Sequence, residues 1–434
     1  MIGIRYKVSA FLIFVIAATG CQQAKQMTAG TMPESLAEVP AVRLNFRYEA
    51  DVPAPELPPA ADDERNASVQ NDFDTNRIGE ILDRTLTSPN KQRVLAVYHL
   101  PTDLPAEFRL DMYSADGRLL NKITADVMAV HFPDTIVWSP DSANVAFVAM
   151  LRGAQGERPE GPPGTGPAVD SSNISPNTNA QPESLSNANV DTNTEPAAPV
   201  ATPAVPTPTA PIGVLTFRTE QIYMCDAEGT GLKPLTQTEG LMYFYYGWAP
   251  DSSMLVALAA TAREWQYLQY KADEKGEVFI PVGRPRLVEK NGRERRLDDG
   301  LTAVQPVWSP DSAKVAAAYD TQIRIYDAAA TVPTQAAVPL RNSLLISSQA
   351  YDLQQQTKLS ETGEAAPANF SPSTLPDPET LVSFNPVVTL NWSTDSILNF
   401  QTAYIKRMKV EADSVTSYSR WHRIILSPQV IPGN

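Results

Sequence analysis

An all-β protein assembled from repeated four-stranded antiparallel units is the fold class this sequence predicts, on three observations. The first is a turn written four times: Trp138-Ser139-Pro140-Asp141-Ser142, Trp248-Ala249-Pro250-Asp251-Ser252, Trp308-Ser309-Pro310-Asp311-Ser312 and Trp392-Ser393-Thr394-Asp395-Ser396. The second is its flanks, an apolar or aromatic run before each copy and another shortly after it, so that each copy joins two short strands. The third is a further strand ending in aspartate, such as Gln322-Ile323-Arg324-Ile325-Tyr326-Asp327, which alternates polar and apolar residues. A supersecondary unit that recurs along a chain marks a repeat architecture.

Each element follows from local chemistry. In the third copy, Val304 to Trp308 forms the incoming strand and Val315 to Tyr319 the outgoing one. Proline presets φ for the first central turn position, and aspartate bonds backbone two residues on. The tryptophan ends the incoming strand, where its ring covers the next sheet. After the second copy's predecessor, Gln221 to Asp226 and Leu232 to Thr236 supply a third and fourth strand around an Ala-Glu-Gly-Thr-Gly turn; Phe108 to Tyr113 runs into Asp116-Gly117 in the same way.

Trp-Ser-Pro-Asp, an apolar strand, then an Ile-Tyr strand ending near an aspartate together resemble the WD40-like (PD40) repeat of TolB-type β-propellers. The resemblance covers roughly residues 80–152 and 214–430 and implies a β-propeller of four-stranded blades. That family usually has glycine after the turn aspartate. Here Ser142, Ser252, Ser312 and Ser396 stand there, so the turn is expected to depend less on a positive φ. A fainter copy, Thr87-Ser88-Pro89-Asn90-Lys91, brings the visible signatures to five, beginning near Thr87, Trp138, Trp248, Trp308 and Trp392. Blades of about 40–45 residues leave room for six, with Arg43–Tyr48 and Leu344–Ser348 as spare strands, and six is the expected number.

The N-terminus reads as a targeting segment: Arg5 and Lys7 precede an apolar stretch from Val8 to Ala18, too short to span a bilayer. Ala18-Thr19-Gly20-Cys21 resembles the lipobox of bacterial lipoproteins. That resemblance implies removal of residues 1–20 and acylation of Cys21, hence a membrane anchor and a place in the cell envelope outside the cytoplasm. Gln22 permits delivery to the periplasmic face of an outer membrane, and in a single-membrane envelope the anchor would lie on the outer face of that membrane. Multiple acyl chains give the firm anchoring a single chain lacks. Losing Arg5 and Lys7 takes the formal charge from −14 to about −16, which argues against nucleic-acid binding through the whole surface. With Cys21 acylated, Cys225 has no disulfide partner and reads as a small buried hydrophobe.

Composition divides the remainder. Residues 21–75 read as lipidated cysteine and tether, apart from Val42 to Tyr48; residues 76–434 read as the propeller, interrupted by a Pro/Ser/Asn/Thr-rich insert at 153–213 and a loop at 354–380.

Catalytic constellations are not found. The sequence carries no Gly-x-Ser-x-Gly, His-Glu-x-x-His, P-loop or Cys-x-x-Cys, and its histidines are only His99, His131 and His422. No catalytic residue, cofactor or metal is therefore assigned, and the chain is expected not to be an enzyme. The turn residues Trp138, Asp141, Trp248, Asp251, Trp308, Asp311, Trp392 and Asp395 have structural work in their turns. The candidate binding residues are aromatic. At period two, Tyr243 and Tyr245 face one side of their strand while Phe244, Tyr246 and Trp248 face the other, and Trp265, Tyr267 and Tyr270 extend a ledge at the channel mouth. The expected role is a non-catalytic interaction module with an unidentified envelope protein or peptide partner. The alternative is a propeller that binds glycan or peptide, or cleaves glycan, with channel carboxylates and aromatics.

Overall fold

The computed structural model describes residues 35–56, 65–152, 220–359 and 375–429. The expected signal segment and Cys21, the 153–213 insert and the middle of the 354–380 loop lie outside the described residues. What is described is a β-propeller of five antiparallel sheets. Blade one comprises Ile81–Thr87, Arg93–His99, Arg109–Ser114 and Leu119–Lys122. Blade two has an inner strand in two pieces, Met128–His131 and Val137–Trp138, then Asn144–Leu151, Gln221–Asp226 and Lys233–Pro234. Blade three runs Leu241–Trp248, Met254–Thr261, Arg284–Glu289, Glu294–Arg296, and blade four Val307–Trp308, Lys314–Tyr319, Gln322–Asp327, Gln335–Pro339. Blade five takes Val387–Thr394, Ile397–Lys406 and Val415–Pro428 from the end of the chain. Its outermost strand, Leu44–Glu49, comes from the beginning, paired from Leu44↔Pro428 to Glu49↔Arg423.

The count is therefore five among the described residues, not six. Of the two spare strands, Arg43–Tyr48 largely completes blade five, and Leu344–Ser348 is helical, inside helix α3 (Arg341–Leu359). The 21–75 segment also holds more structure than its composition suggested. Besides that strand it contains helix α1, Ala67–Asn76, capped by Asn66, whose Oδ1 accepts from the amides of Ser68 and Val69. Val69 and Phe73, four residues apart on one helix face, pack on Leu82, Val94, Ala96, Tyr98 and Tyr113 of blade one.

Second strands are buried in unbroken runs, Val94–Tyr98, Val145–Ala149, Leu255–Ala260 and Lys314–Ala318, because each has both faces covered. Shared apolar clusters join blade one to two, two to three, three to four and four to five. The two end faces are finished differently. Blade one's side away from blade two carries α1. Blade five alternates, with Leu398 and Phe400 packed toward blade four and Asn399 and Gln401 on the opposite face. Terminal repeats that turn a polar or capped side outward keep a repeat array soluble.

The repeated turn works as an inter-blade latch. Ser142, Ser252 and Ser312 all sit at φ +61, the left-handed region that glycine usually fills, so the expectation of a less φ-dependent turn is overturned. The reason for serine lies in its hydroxyl, which accepts the amide of the preceding blade's turn. Asn90 N–H reaches Ser142 Oγ, Asp141 N–H reaches Ser252 Oγ and Asp251 N–H reaches Ser312 Oγ, each at 3.0 Å. In the fourth link the Asp395 carboxylate accepts from Asp311 N–H at 2.9 Å. Tryptophan indoles repeat the theme, Trp138 donating to Leu86 O, Trp248 to Val137 O and Trp308 to Gly247 O. Trp392 is the exception. A β-bulge follows it where this copy has lost its proline, and its buried Nε1 has no partner among the described residues.

Candidate docking face

Antiparallel strands send all first-to-second turns, the Asp turns, to one end of the propeller. Second-to-third connections and the crossings to the next blade emerge at the other. The Asp-turn end is compact, and the opposite end carries the elaborations: α3, the ends of the insert at Arg152 and Glu220, and α2 (Ala262–Glu274) in blade three. There, too, blade five extends its second and third strands into a projecting two-stranded ribbon around Lys406–Val415.

Helix α2 starts where Thr261 and Glu264 form a capping box. Glu264 also receives both terminal nitrogens of Arg284, at 2.7 and 2.8 Å. That bidentate contact holds the Glu264 carboxyl down to about 2. The inner stripe of the helix seats Trp265 against Phe244, Phe132 and Phe279, with ring centroids 5.4, 5.9 and 4.8 Å away. Phe132 takes φ 52, a costly conformation for a bulky residue. It stands at the break in blade two's inner strand, with its ring against Trp265.

The ribbon is clasped to α2's far end. Val278 N–H donates to Arg407 O and Lys409 N–H to Gly276 O, both at 3.0 Å, and the Lys409 ammonium lies 2.8 Å from Asp273. Both elements carry exposed aromatic and apolar side chains. Tyr267 and Tyr270 are 60% and 66% exposed, and Tyr404, Val410, Val415 and Tyr418 range from 43% to 60%. Tyr418 marks a second backbone irregularity, φ 53, beside the bulge at the ribbon's base. Exposed tyrosines and the arginines Arg263 and Arg407 on a braced base are residue types enriched at docking surfaces.

The four aromatic candidates divide between core and surface. Tyr243 is fully buried and its hydroxyl donates to Glu294 at 2.6 Å; burial, then that carboxylate, push its pKa far up. Tyr245 donates to Pro306 O, and burial raises it to about 12. Their shared-face assignment is corrected: a bulge between Tyr243 and Tyr245 shifts the register, so Tyr243 packs with Tyr246 and Trp248, and Tyr245 with Phe244. Trp265 and Tyr245 are half-buried, packed against Phe244, Leu258 and Ala260, and Tyr267 is exposed. Asp141, Asp251 and Asp311 each accept an amide two residues on, from Ala143, Ser253 and Ala313, within their own turns.

The histidines are dispersed. His99 contacts Asp83 at 2.7 Å and His131 contacts Glu220 at 3.3 Å. His422, fully buried, lies between Tyr48 Oη at 2.9 Å and Thr402 Oγ1 at 3.0 Å. Burial first, then the Arg420 charge, lower its pKa to about 4. Arg420 in turn binds Asp51 through two nitrogens and donates to Ser348 Oγ, so this polar network ties both chain ends to α3. Among the described residues no group of three or more His, Cys, Asp or Glu is placed to hold a metal.

No family model matches the chain and no curated protein matches it. Among solved structures it is similar to an oligogalacturonate lyase from Vibrio parahaemolyticus, with 9% identity over 79% of this chain and 65% of that one and a TM-score of 0.33. It is also similar to a prolyl endopeptidase, with 10% identity, 78% and 35% coverage and a TM-score of 0.32. The tricorn protease shares 10% identity over 63% of this chain and 24% of that chain, with a TM-score of 0.30. The chain thus spans between a quarter and two thirds of these neighbours.

Proposed function

We propose that this chain is a TolB-like, WD40-like repeat propeller, lipid-anchored through Cys21 in the cell envelope outside the cytoplasm, and that it docks a protein partner without catalysing a reaction. The observation that carries the reading is the α2–ribbon surface. A half-buried aromatic seat around Trp265 and a bidentate Arg284–Glu264 clamp fix a helix whose outward residues are exposed Tyr267 and Tyr270. Tyrosine offers large contact area with little side-chain entropy to lose, and rigid support makes such a surface an efficient binder. The glycan-ledge alternative shares exposed Tyr267 and Tyr270 with this surface but loses Tyr243, which is buried in the core.

The test is crosslinking in intact cells with wild type and with Tyr267→Ser/Tyr270→Ser, at matched abundance. The reading expects one protein partner whose recovery falls at least about tenfold in the variant, the loss of one to two hot spots. Equal recovery from both, or specific retention on cell-wall glycan with no protein partner, contradicts it.

A further inference from the structure

The position of the first described residues fixes which end of the propeller its anchor pulls on. Ser35 to Arg43 run along the Asp-turn end, held by buried contacts to blade four. The Lys314 ammonium donates to Val39 O at 2.8 Å, and Ala41 N–H donates to Asp327 Oδ1 at 3.0 Å. Val42 N–H adds a bond to Thr334 Oγ1. Asp327 and Thr334 bound blade four's third-to-fourth turn, and Lys314 begins its second strand, so all three mark the end where the Asp turns lie. The chain then enters blade five at Leu44, opposite Pro428 and beside the Asp395 turn, where Leu426 N–H donates to Ser396 O. The α2–ribbon surface is at the other end, beyond the full length of the strands.

We infer that the Asp-turn end faces the membrane that holds Cys21, and that the α2–ribbon surface is presented away from it. The inference rests on the anchored reading proposed above and adds an orientation to it. From Cys21 to Ser35 is 14 residue steps, a span of at most about 50 Å when fully extended. An eight-residue blade strand such as Met254–Thr261 is about 26 Å long, and a helix lying on its end adds roughly 10 Å. To turn α2 against the bilayer, the chain would have to bring Ser35 about 36 Å off the surface, which uses over two thirds of that reach. With the Asp-turn end toward the bilayer no such extension is required. Stretching a chain toward its contour length costs conformational entropy, so the orientation is set by where the anchor joins.

The test uses full-length acylated protein in phosphatidylcholine vesicles that carry a headgroup-attached quencher. One fluorophore is placed at Ala143→Cys on an Asp turn, or at Gln266→Cys on α2; both native residues are exposed. Cys225 is 1% exposed and burial pushes its thiol up to about 12, so it stays unlabelled in the folded protein. Quenching should be at least about threefold stronger at position 143, and inserting 30 Gly/Ser residues after Gln23 should bring the ratio toward one, because a longer linker no longer constrains orientation. Equal or stronger quenching at position 266 with the native tether overturns the inference while leaving anchoring intact. Flotation of the protein with vesicles, lost in Cys21→Ser, reports the anchor separately. Failure of wild type to float overturns the anchored reading and the orientation with it.

Discussion

Replacing Ser142, Ser252 and Ser312 together, once by alanine and once by glycine, separates the two effects that meet at each turn. The hydroxyl accepts an amide from the neighbouring blade at 3.0 Å, a bond worth about 1 kcal/mol net. Alanine deletes it and keeps a side chain at φ +61. The three sites lie in separate blade junctions, so their effects should add, to about 3 kcal/mol. Glycine deletes the same bonds but removes a left-handed penalty of about 1–2 kcal/mol per site. Its own unfolded-state entropy returns about 0.5–1 kcal/mol of that. The net for the glycine triple is about 1 kcal/mol, clearly milder than alanine. Urea unfolding of the three proteins under one condition, compared at their midpoints, reads the order directly. A glycine triple as unstable as the alanine triple refutes the strain term; an alanine triple as stable as wild type refutes the latch.

Three further outcomes follow from the same geometry. His422 stays neutral in the fold down to about 4, whereas an unfolded histidine takes its proton near 6.5. Stability contributed by the neutral ring is therefore lost as pH falls from 6.5 toward 4, by up to about 3 kcal/mol, and the pH 7 to pH 4.5 difference in urea midpoint should shrink in His422→Gln. Trp265→Ala should cost about 1–2 kcal/mol locally, since the indole is half-buried, and speed hydrogen exchange across α2, whereas Tyr267→Ser should change stability by less than about 0.5 kcal/mol. Cys225 should resist a thiol reagent in the native protein and react on unfolding, because burial holds its pKa near 12.

Much of the fold was legible in the sequence, and the rest was hidden for identifiable physical reasons. The repeated turn located four blades, and Thr87–Lys91 the fifth, because turn chemistry is local. The role of Ser312 was not, since its partner Asp251 N–H lies 61 residues away. Period-two reading of Tyr243–Trp248 failed at one inserted residue, because a bulge changes which face every earlier side chain meets. Helix α2 did announce itself through Thr261 and Glu264, a capping-box spacing ahead of a long run without glycine or proline. Its aromatics were instead read as strand or ledge. Helix α1 had an Asn66 cap and the Val69/Phe73 pair, obscured by a segment rich in alanine, proline and aspartate. The ribbon had no local signal at all. It exists because Arg407, Met408 and Lys409 meet residues 276 to 278 of another blade.

Docking of a partner on the α2–ribbon end is tested by photocrosslinker scanning in intact cells. A photoreactive residue is placed in turn at Tyr267, Tyr404, Ala143 and Asp251. The account predicts one discrete protein adduct from Tyr267 and Tyr404, suppressed by Tyr270→Ser, and none of that mass from the two Asp-turn positions. The same adduct from Ala143 or Asp251, with none from Tyr267 and Tyr404, contradicts it.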